Sequence, residues 1–261
     1  MARKLRMMAV LAHPDDESLG LGGTLARYAR EGVETFVVTA TRGERGRNGT
    51  SRDSSPEELG ALREAELRAA CSVLGVSEVR LLGYPDGGLA QVDAGEATAR
   101  IASEIRRVKP DVVVTFGPEG AYGHPDHIAI SQLATAAAVR AAARSQPVSK
   151  LYYMAWTKEK WDAYQAALKK LVSKVDGVER EATPWAEWAI TTVVDTERYW
   201  PEVWRAVSCH ETQMSIYRNL AQLPEEHHRG LWGSQEFYRA FSLVNGGRTR
   251  ETDLFEGVHE G

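Results

Sequence analysis

The first 155 residues alternate short apolar runs with longer stretches of helical periodicity, and this alternation constrains the fold more than any other feature. It is typical of βαβ units wound around a parallel sheet. The pattern predicts five strands, over 7–12, 35–41, 79–82, 111–116 and 151–156. Helices are expected between them, over 19–30, 57–74, 96–108 and 128–144. The expected fold class is therefore α/β, with a three-layer, Rossmann-like, mostly parallel sheet in the order 3-2-1-4-5.

Residues 156–261 differ in composition, because all seven tryptophans fall within them. Apolar residues at helical spacing predict a helix over 161–175, for which core packing is the ordinary explanation and a ligand platform the alternative. A strand is expected over 189–194 and another helix over 197–208. We expect a smaller α+β extension that packs on the core of residues 1–155 and shapes the substrate pocket, within one domain overall.

The charge balance excludes several functions. With 32 Lys and Arg against 36 Asp and Glu, the net charge is −4, which does not suit a protein that coats nucleic acid or an anionic membrane.

Cys71 and Cys209 are far apart in the sequence, so neither a disulfide framework nor a thiolate metal site is indicated. The apolar run near the start is too short for a signal peptide, and no stretch is long enough to span a membrane. A cytoplasmic protein is expected.

Two similar segments follow the first and fourth predicted strands. The sequence AHPDDE occupies 12–17 and YGHPDH occupies 122–127. Ligands bind beyond the carboxyl ends of parallel strands where the strand order reverses, and strands one and four are neighbours at that point. His13, Asp16 and His127 therefore form a candidate ligand set for one zinc-type ion, with another divalent metal as an alternative. Alternatively, each His-Pro-Asp is only a turn, with Pro fixing φ and Asp capping the next helix.

A dinucleotide-binding site is the main rival for this architecture. Gly20, Gly22 and Gly23 imitate its glycine fingerprint only in part, because Leu25 breaks the pattern and the glycines lie well after the strand. Three acids, at 15–17, also occupy the position where a pyrophosphate needs backbone donors. Both observations argue against dinucleotide binding.

The two histidine segments, taken in order, resemble those of the LmbE-like or PIG-L family of zinc-dependent de-N-acetylases. This family includes the GlcNAc-inositol deacetylase of mycothiol synthesis, its bacillithiol counterpart and the mycothiol conjugate amidase. The resemblance covers nearly the whole chain. Weaker matching pieces are TRGERG at 41–46, LREAE at 62–66, YPDGG at 84–88 and HETQ at 210–213.

The resemblance implies roles for individual residues. It assigns the zinc to His13, Asp16 and His127 and makes Asp15 the general base that takes a proton from the attacking water. The oxyanion that forms requires added donors, since losing one costs about 100- to 1,000-fold in rate. His124 and, as the resemblance suggests, the hydroxyl of Tyr122 are available for this.

Asp126 is expected to hydrogen-bond His124 and raise its pKa, so that the imidazolium protonates the leaving amine. A capping role at the following helix is the alternative. Glu17 is expected to support the site or the helix dipole instead of taking part in catalysis.

Substrate contacts are less clearly marked. The resemblance places Arg63 and Asp86 at the pocket mouth as contacts for sugar hydroxyls. Alternatively, Arg63 pairs with an acid on its own helix and Asp86 belongs to a Pro-Asp-Gly turn. His210 is expected either to line the pocket or to be a satisfied buried histidine.

Two other features complete these expectations. The loop over 43–56 is long for an α/β connection, and its arginines either meet a ligand or are solvated. The remaining histidines are expected at the surface, and they are His227, His228 and His259.

The function expected is zinc-dependent hydrolysis of the N-acetyl amide of an N-acetylglucosamine-type sugar or glycoside, which releases acetate and a free amine. An amidase acting on a larger thiol-sugar conjugate is one alternative. A metal-binding sugar-recognition module without turnover is another, disfavoured because Asp15 and His124 are not needed to hold a metal. The partner is a small amino-sugar, without nucleic acid or membrane insertion, and a homo-oligomer is compatible with the sequence.

Overall fold

The computed structural model describes residues 3–49, 54–142, 147–168, 172–175, 177–217 and 219–258. The strands are β1 (Arg6–Leu11), β2 (Glu34–Thr41), β3 (Glu78–Tyr84), β4 (Val112–Phe116), β5 (Lys150–Ala155), β6 (Val172–Val175), β7 (Val178–Glu181), β8 (Thr192–Asp195) and β9 (Ser234–Ser242). The helices are α1 (Asp16–Arg30), α2 (Pro56–Val73), α3 (Ala94–Val108), α4 (Gly120–Gly123), α5 (Pro125–Ala142), α6 (Lys158–Leu168), α7 (Trp200–Ser208), α8 (Met214–Tyr217) and α9 (Glu225–Trp232).

One seven-stranded sheet organises the chain, in the order β3-β2-β1-β4-β5-β9-β8. The strands β1 to β5 pair in parallel, which confirms the expected α/β class and the order 3-2-1-4-5. The C-terminal part then continues the same sheet, because β9 pairs antiparallel with β5 and β8 pairs antiparallel with β9. The antiparallel edge had no counterpart in the sequence-based expectation beyond a strand near 189–194.

Helices cover both faces of the sheet. The chain moves in one direction from β1 to β3 and in the other from β4 onwards, so right-handed crossovers place α1 and α2 on one face and α3 and α5 on the other. The central strands β1 and β4 are consequently buried on both sides, and their residues form nearly continuous apolar runs. Among the described residues, no helix has the length and apolar character required to cross a membrane.

The glycines of α1 serve helix packing. A methyl group on Gly22 would lie 3.2 Å from a side-chain atom of Val203 on α7, and one on Gly23 would lie 2.6 Å from Cβ of Thr196. Thr196 is fully engaged, since its hydroxyl donates to the carbonyl oxygen of Trp232 at 2.6 Å. These glycines allow the C-terminal part to approach α1 closely, which explains them without a dinucleotide.

The helix expected over 161–175 is wrong in its second half. The helix α6 ends at Leu168, and Val172–Val175 is a strand that pairs antiparallel with Val178–Glu181. Gly177 between them has a φ of 79°, the left-handed conformation that a tight hairpin turn requires. The β-branched valines suit a strand, and periodicity alone did not reveal this.

The expectation for His228 is also wrong. This side chain is buried, and its ring stacks on Trp200 at 5.5 Å with an interplanar angle of 16°. Trp204 and Trp232 complete the cluster around it. His227 is exposed as expected. The end of the helix expected over 128–144, Arg52 of the 43–56 loop and His259 lie outside the described residues.

Replacing Gly23 tests the close approach of α1. We expect Gly23→Ala to lower the free energy of unfolding by about 1–3 kcal/mol, because the new methyl group displaces Thr196. Gly230 within α9 is the matched control, since nothing lies within 4 Å of a methyl group there. Gly230→Ala should raise the stability by about 0.5–1 kcal/mol. Equal effects of the two substitutions in chemical denaturation would contradict this packing.

Candidate active site and metal centre

The site forms where β1 and β4 lie side by side. Segment 12–17 follows β1 and segment 122–127 follows β4, so both leave the sheet at the carboxyl ends of these two parallel strands. The ring of His13 lies 4.8 Å from that of His124 and 5.2 Å from that of His127, measured between centroids. The predicted convergence of two distant segments is thus confirmed.

The three predicted metal ligands are buried and contact one another. Nδ1 of His13 lies 3.2 Å from Nε2 of His127 and 3.8 Å from Oδ2 of Asp16. The other oxygen of Asp16 lies 3.3 Å from Nε2 of His127. Two ligands of a tetrahedral zinc-type ion stand about 3.3 Å apart, given bond lengths of about 2.0 Å. The donor types and their separations therefore fit one small divalent cation.

The carboxylate of Asp16 is held in place for this role. Its Oδ2 accepts hydrogen bonds from the backbone N–H groups of Ala12, at 3.1 Å, and His13, at 2.8 Å. Burial alone would raise the pKa of Asp16, but the charges of His127 and His13 outweigh burial and hold this pKa well below its usual range. Asp16 is an anion at any physiological pH.

The second nitrogen of His13 faces two further acids. Its Nε2 lies 3.2 Å from Oδ2 of Asp126 and 3.2 Å from Oδ1 of Asp86. Burial alone would lower the pKa of His13, but these contacts and the charge of Asp16 raise it to about 10. The surrounding acids therefore favour positive charge here, which a divalent cation supplies when it replaces the proton. An outer carboxylate also orients a ligating histidine.

The structure corrects the partner expected for Asp126. Its carboxylate accepts backbone N–H groups from Gly87, at 2.7 Å, and Leu89, at 3.1 Å, besides facing His13. Among the described residues, this carboxylate has no hydrogen bond to the ring of His124 or to an N–H group of α5, and its partners are His13 and the two amides of the segment after β3. The carboxylate of Asp126 therefore contacts His13 instead of His124.

His124 is also in a different state from the one expected. Its Nδ1 accepts the backbone N–H of Asp126 at 3.2 Å, so a neutral ring carries its proton on Nε2. Burial, together with the neighbouring His127 and His13, lowers the pKa of His124 to about 4, and the charge of Asp126 opposes this only in part. The expected imidazolium is therefore replaced by a neutral donor. The ring of Tyr122 packs edge-on against His124, with centroids 5.9 Å apart.

Asp15 combines a strained backbone with a buried carboxylate. Its φ is 105°, a backbone conformation that residues with a side chain rarely adopt. Strained conformations of this kind cluster at functional sites. Oδ2 accepts hydrogen bonds from Nη2 of Arg63 at 3.1 Å and from the hydroxyl of Tyr217 at 2.8 Å. Burial raises the pKa of Asp15, and the positive charge of Arg63 opposes that rise.

Arg63 lies beneath the site instead of pairing on its own helix. It is buried, and besides Asp15 its guanidinium donates to the carbonyl oxygens of Gly43 and Pro14.

Asp86 is also buried, and its Oδ2 accepts the backbone N–H of Arg45 at 2.8 Å. Burial alone would raise the pKa of Asp86, but His13 and this amide lower it to about 2. The sugar-contact roles of Arg63 and Asp86 stay predictions.

His210 is buried, but only one of its two ring nitrogens is paired, because Nδ1 has no hydrogen-bond partner in the part of the chain that the structure describes. It is fully buried, and its Nε2 lies 2.8 Å from Oε1 of Glu17, which is fully buried as well. Burial alone would lower the pKa of His210, but Glu17 raises it. Tyr217 is the site residue that sequence reasoning missed. No sequence motif includes Tyr217, and a single tyrosine after HETQ is expected to be an ordinary core residue.

Known proteins are similar to this chain in sequence. The family described as PIG-L, GlcNAc-PI de-N-acetylase, matches residues 8–138. A 1D-myo-inositol 2-acetamido-2-deoxy-alpha-D-glucopyranoside deacetylase of Rhodococcus opacus (strain B4) is 35% identical to this chain, and the match covers 97% of this chain and 98% of that protein. The chain therefore belongs to the PIG-L family, and the resemblance of its motifs is confirmed. It is a hydrolytic enzyme of the deacetylase class.

Solved structures are similar to this chain in fold. The conserved protein TT1542 from Thermus thermophilus has a TM-score of 0.64 at 27% identity, covering 93% of this chain and 97% of that one. GalB, the 4-carboxy-2-hydroxymuconate hydratase from Pseudomonas putida KT2440, has a TM-score of 0.66 at 19% identity, covering 93% and 99%. That second likeness shows the fold alone, so the reaction has to be argued from the site.

Asp126→Asn tests whether this residue acts through His13. We expect the affinity for Zn²⁺ to fall about 10- to 100-fold, because an outer-sphere carboxylate is lost, and competition with a chromogenic chelator measures it. Asp111→Asn is the matched control, since this buried aspartate accepts the backbone N–H of Arg6 at the opposite end of β4. Metal affinity that changes equally in both variants would contradict the assigned role.

Proposed function

We propose that the chain hydrolyses the N-acetyl amide of an N-acetylglucosamine-type sugar or glycoside and releases acetate and the free amine. The proposal rests on the position of Asp15, a carboxylate that directly precedes Asp16 in the chain and interacts with its charge. A metal-binding module needs only the cluster of His13, Asp16 and His127, whereas a hydrolase needs a separate base beside it. The name of the relative from Rhodococcus opacus supports the amino-sugar substrate.

The proposed cofactor is one zinc ion per chain, held by His13, Asp16 and His127. When bound, such an ion polarises the amide carbonyl as a Lewis acid and lowers the pKa of water to about 7. His13 would hold the ion through Nδ1, because its Nε2 faces Asp126 and Asp86, each at 3.2 Å. Two histidines and one carboxylate leave a position open for water and substrate.

Asp15 handles the proton. Its Oδ2 is engaged by Arg63 and Tyr217, whereas no group in the described part of the chain hydrogen-bonds its Oδ1. Oδ1 is thus available to take a proton as water attacks the amide carbon. The C–N bond of the resulting tetrahedral species breaks, and Asp15 returns that proton to the departing amine nitrogen. This assignment replaces the imidazolium acid, because the lowered pKa of His124 favours its neutral form at neutral pH.

Donors are placed for the oxyanion of the tetrahedral species. The protonated Nε2 of His124 is a neutral hydrogen-bond donor beside His13 and His127. The hydroxyl of Tyr122 is the second proposed donor, on a ring that packs 5.5 Å from that of His127. Preorganised donors of this kind stabilise charge that develops only in the transition state.

An amidase acting on a thiol-sugar conjugate remains the second candidate, because the same groups hydrolyse either amide. The test is to incubate the purified enzyme with N-acetylglucosamine glycosides, with and without a chelator, and to measure the amine released. An S-conjugate of a GlcN-linked thiol is assayed in parallel. Release from the acetylated glycosides that is abolished by chelation and restored by Zn²⁺ is expected. Turnover of the conjugate alone would favour the amidase.

Asp15→Asn separates the base from the metal cluster. We expect kcat to fall by about 100- to 10,000-fold, because the proton acceptor is lost, while elemental analysis still finds one metal per chain. Asp195→Asn is the control, since Asp195 is exposed on the edge strand β8 and, among the described residues, its Oδ1 accepts one hydrogen bond, from the N–H of Glu197. An Asp15→Asn enzyme as active as that control would overturn the assigned base.

A further inference from the structure

Tyr217 ends the short helix α8 and reaches the site from the C-terminal part of the chain. It is buried, and its hydroxyl donates to Oδ2 of Asp15 at 2.8 Å. We propose that Tyr217 is a positioning residue that fixes the carboxylate of Asp15 so that Oδ1 alone faces the water. This inference rests on the proposed function, in which Asp15 is the base.

Two donors share one oxygen of Asp15. Arg63 supplies the positive charge, and its Nη2 contacts the same Oδ2 at 3.1 Å. A second, neutral donor adds little charge but fixes the direction of the carboxylate plane, because both hydrogen bonds have to be kept at once. With Arg63 alone, the carboxylate can turn and exchange its two oxygens. Misplacing a reacting group by about 1 Å costs on the order of 100-fold in rate.

The same segment also holds the backbone of Asp15. His210 contacts Oε1 of Glu17 at 2.8 Å, and Oε2 of Glu17 accepts the backbone N–H of Asp15 at 3.0 Å. Residues 210–217 therefore restrain Asp15 at two points, its amide through Glu17 and its carboxylate through Tyr217. A φ of 105° persists only where the surroundings hold it in this way.

The segment is itself fixed to the core, so it can act as a support. The backbone N–H and the hydroxyl of Thr212 each donate to the carboxylate of Glu66 on α2, both at 2.7 Å. The side-chain amide of Gln213 donates to the carbonyl oxygen of Arg47 at 2.7 Å. The position of Tyr217 is thus determined by contacts with α2 and with the loop after β2.

Tyr217→Phe removes the hydroxyl and keeps the ring. We expect kcat on an N-acetylglucosamine glycoside to fall about 10- to 100-fold, with KM changed less than about twofold and one metal per chain retained. Tyr164→Phe is the matched control, because the buried hydroxyl of Tyr164 donates only to the carbonyl oxygen of Leu19, at 2.6 Å. Both variants should lose similar stability, and only Tyr217→Phe should lose kcat. Equal kcat in the two variants would overturn the proposal.

A crystal structure of the Tyr217→Phe enzyme gives a readout that does not depend on turnover. We expect the Asp15 carboxylate to rotate or to occupy two orientations, whereas the wild-type and Tyr164→Phe enzymes keep one. An unchanged single orientation in Tyr217→Phe would overturn the inference. If the wild-type enzyme releases no amine from any acetylated sugar, the proposed function fails, and the carboxylate orientation alone then decides the positioning role.

Discussion

The adjacency of β1 and β4 in one parallel sheet is the constraint on which the site depends. The two strands deliver segments more than 100 residues apart to one edge, so that Nδ1 of His13 and Nε2 of His127 face each other at 3.2 Å. Two buried imidazole nitrogens this close are compatible only with a shared proton or a shared cation. The carboxylate of Asp16 beside them, fixed by two backbone amides, favours the cation.

Buried charge of this density is costly unless each group has partners. The chain provides them from elements that take no direct part in the chemistry. The turn after β3 offers amides to Asp126, α2 offers Arg63, and residues 210–217 offer His210 and Tyr217. The C-terminal extension therefore reaches the site through these two side chains. Three of its tryptophans instead pack around His228.

The sequence predicted the parts of this structure that depend on local pattern and on general topology. Apolar periodicity located β1 to β5, and the switch-point rule then brought the two histidine segments together. The sequence could not predict the partners of Asp126 or the lowered pKa of His124. Both depend on groups whose positions only the fold determines. The hairpin of β6 and β7 was missed since its valines also fit a helical period. Tyr217 carried no motif, and its role arises from a contact across 202 positions.

We propose that one divalent cation is held by Nδ1 of His13, Asp16 and His127, while Nε2 of His13 faces the acids Asp86 and Asp126. Anomalous scattering at the zinc absorption edge, from crystals of the enzyme grown with Zn²⁺, tests this most directly. We expect a single peak about 2.0–2.2 Å from one atom of each of the three residues. Two other donor groups are possible, His13 with His124 and His127 and His13 with Asp86 and Asp126, and a peak bonded to His124, or to Asp86 and Asp126, would contradict this placement.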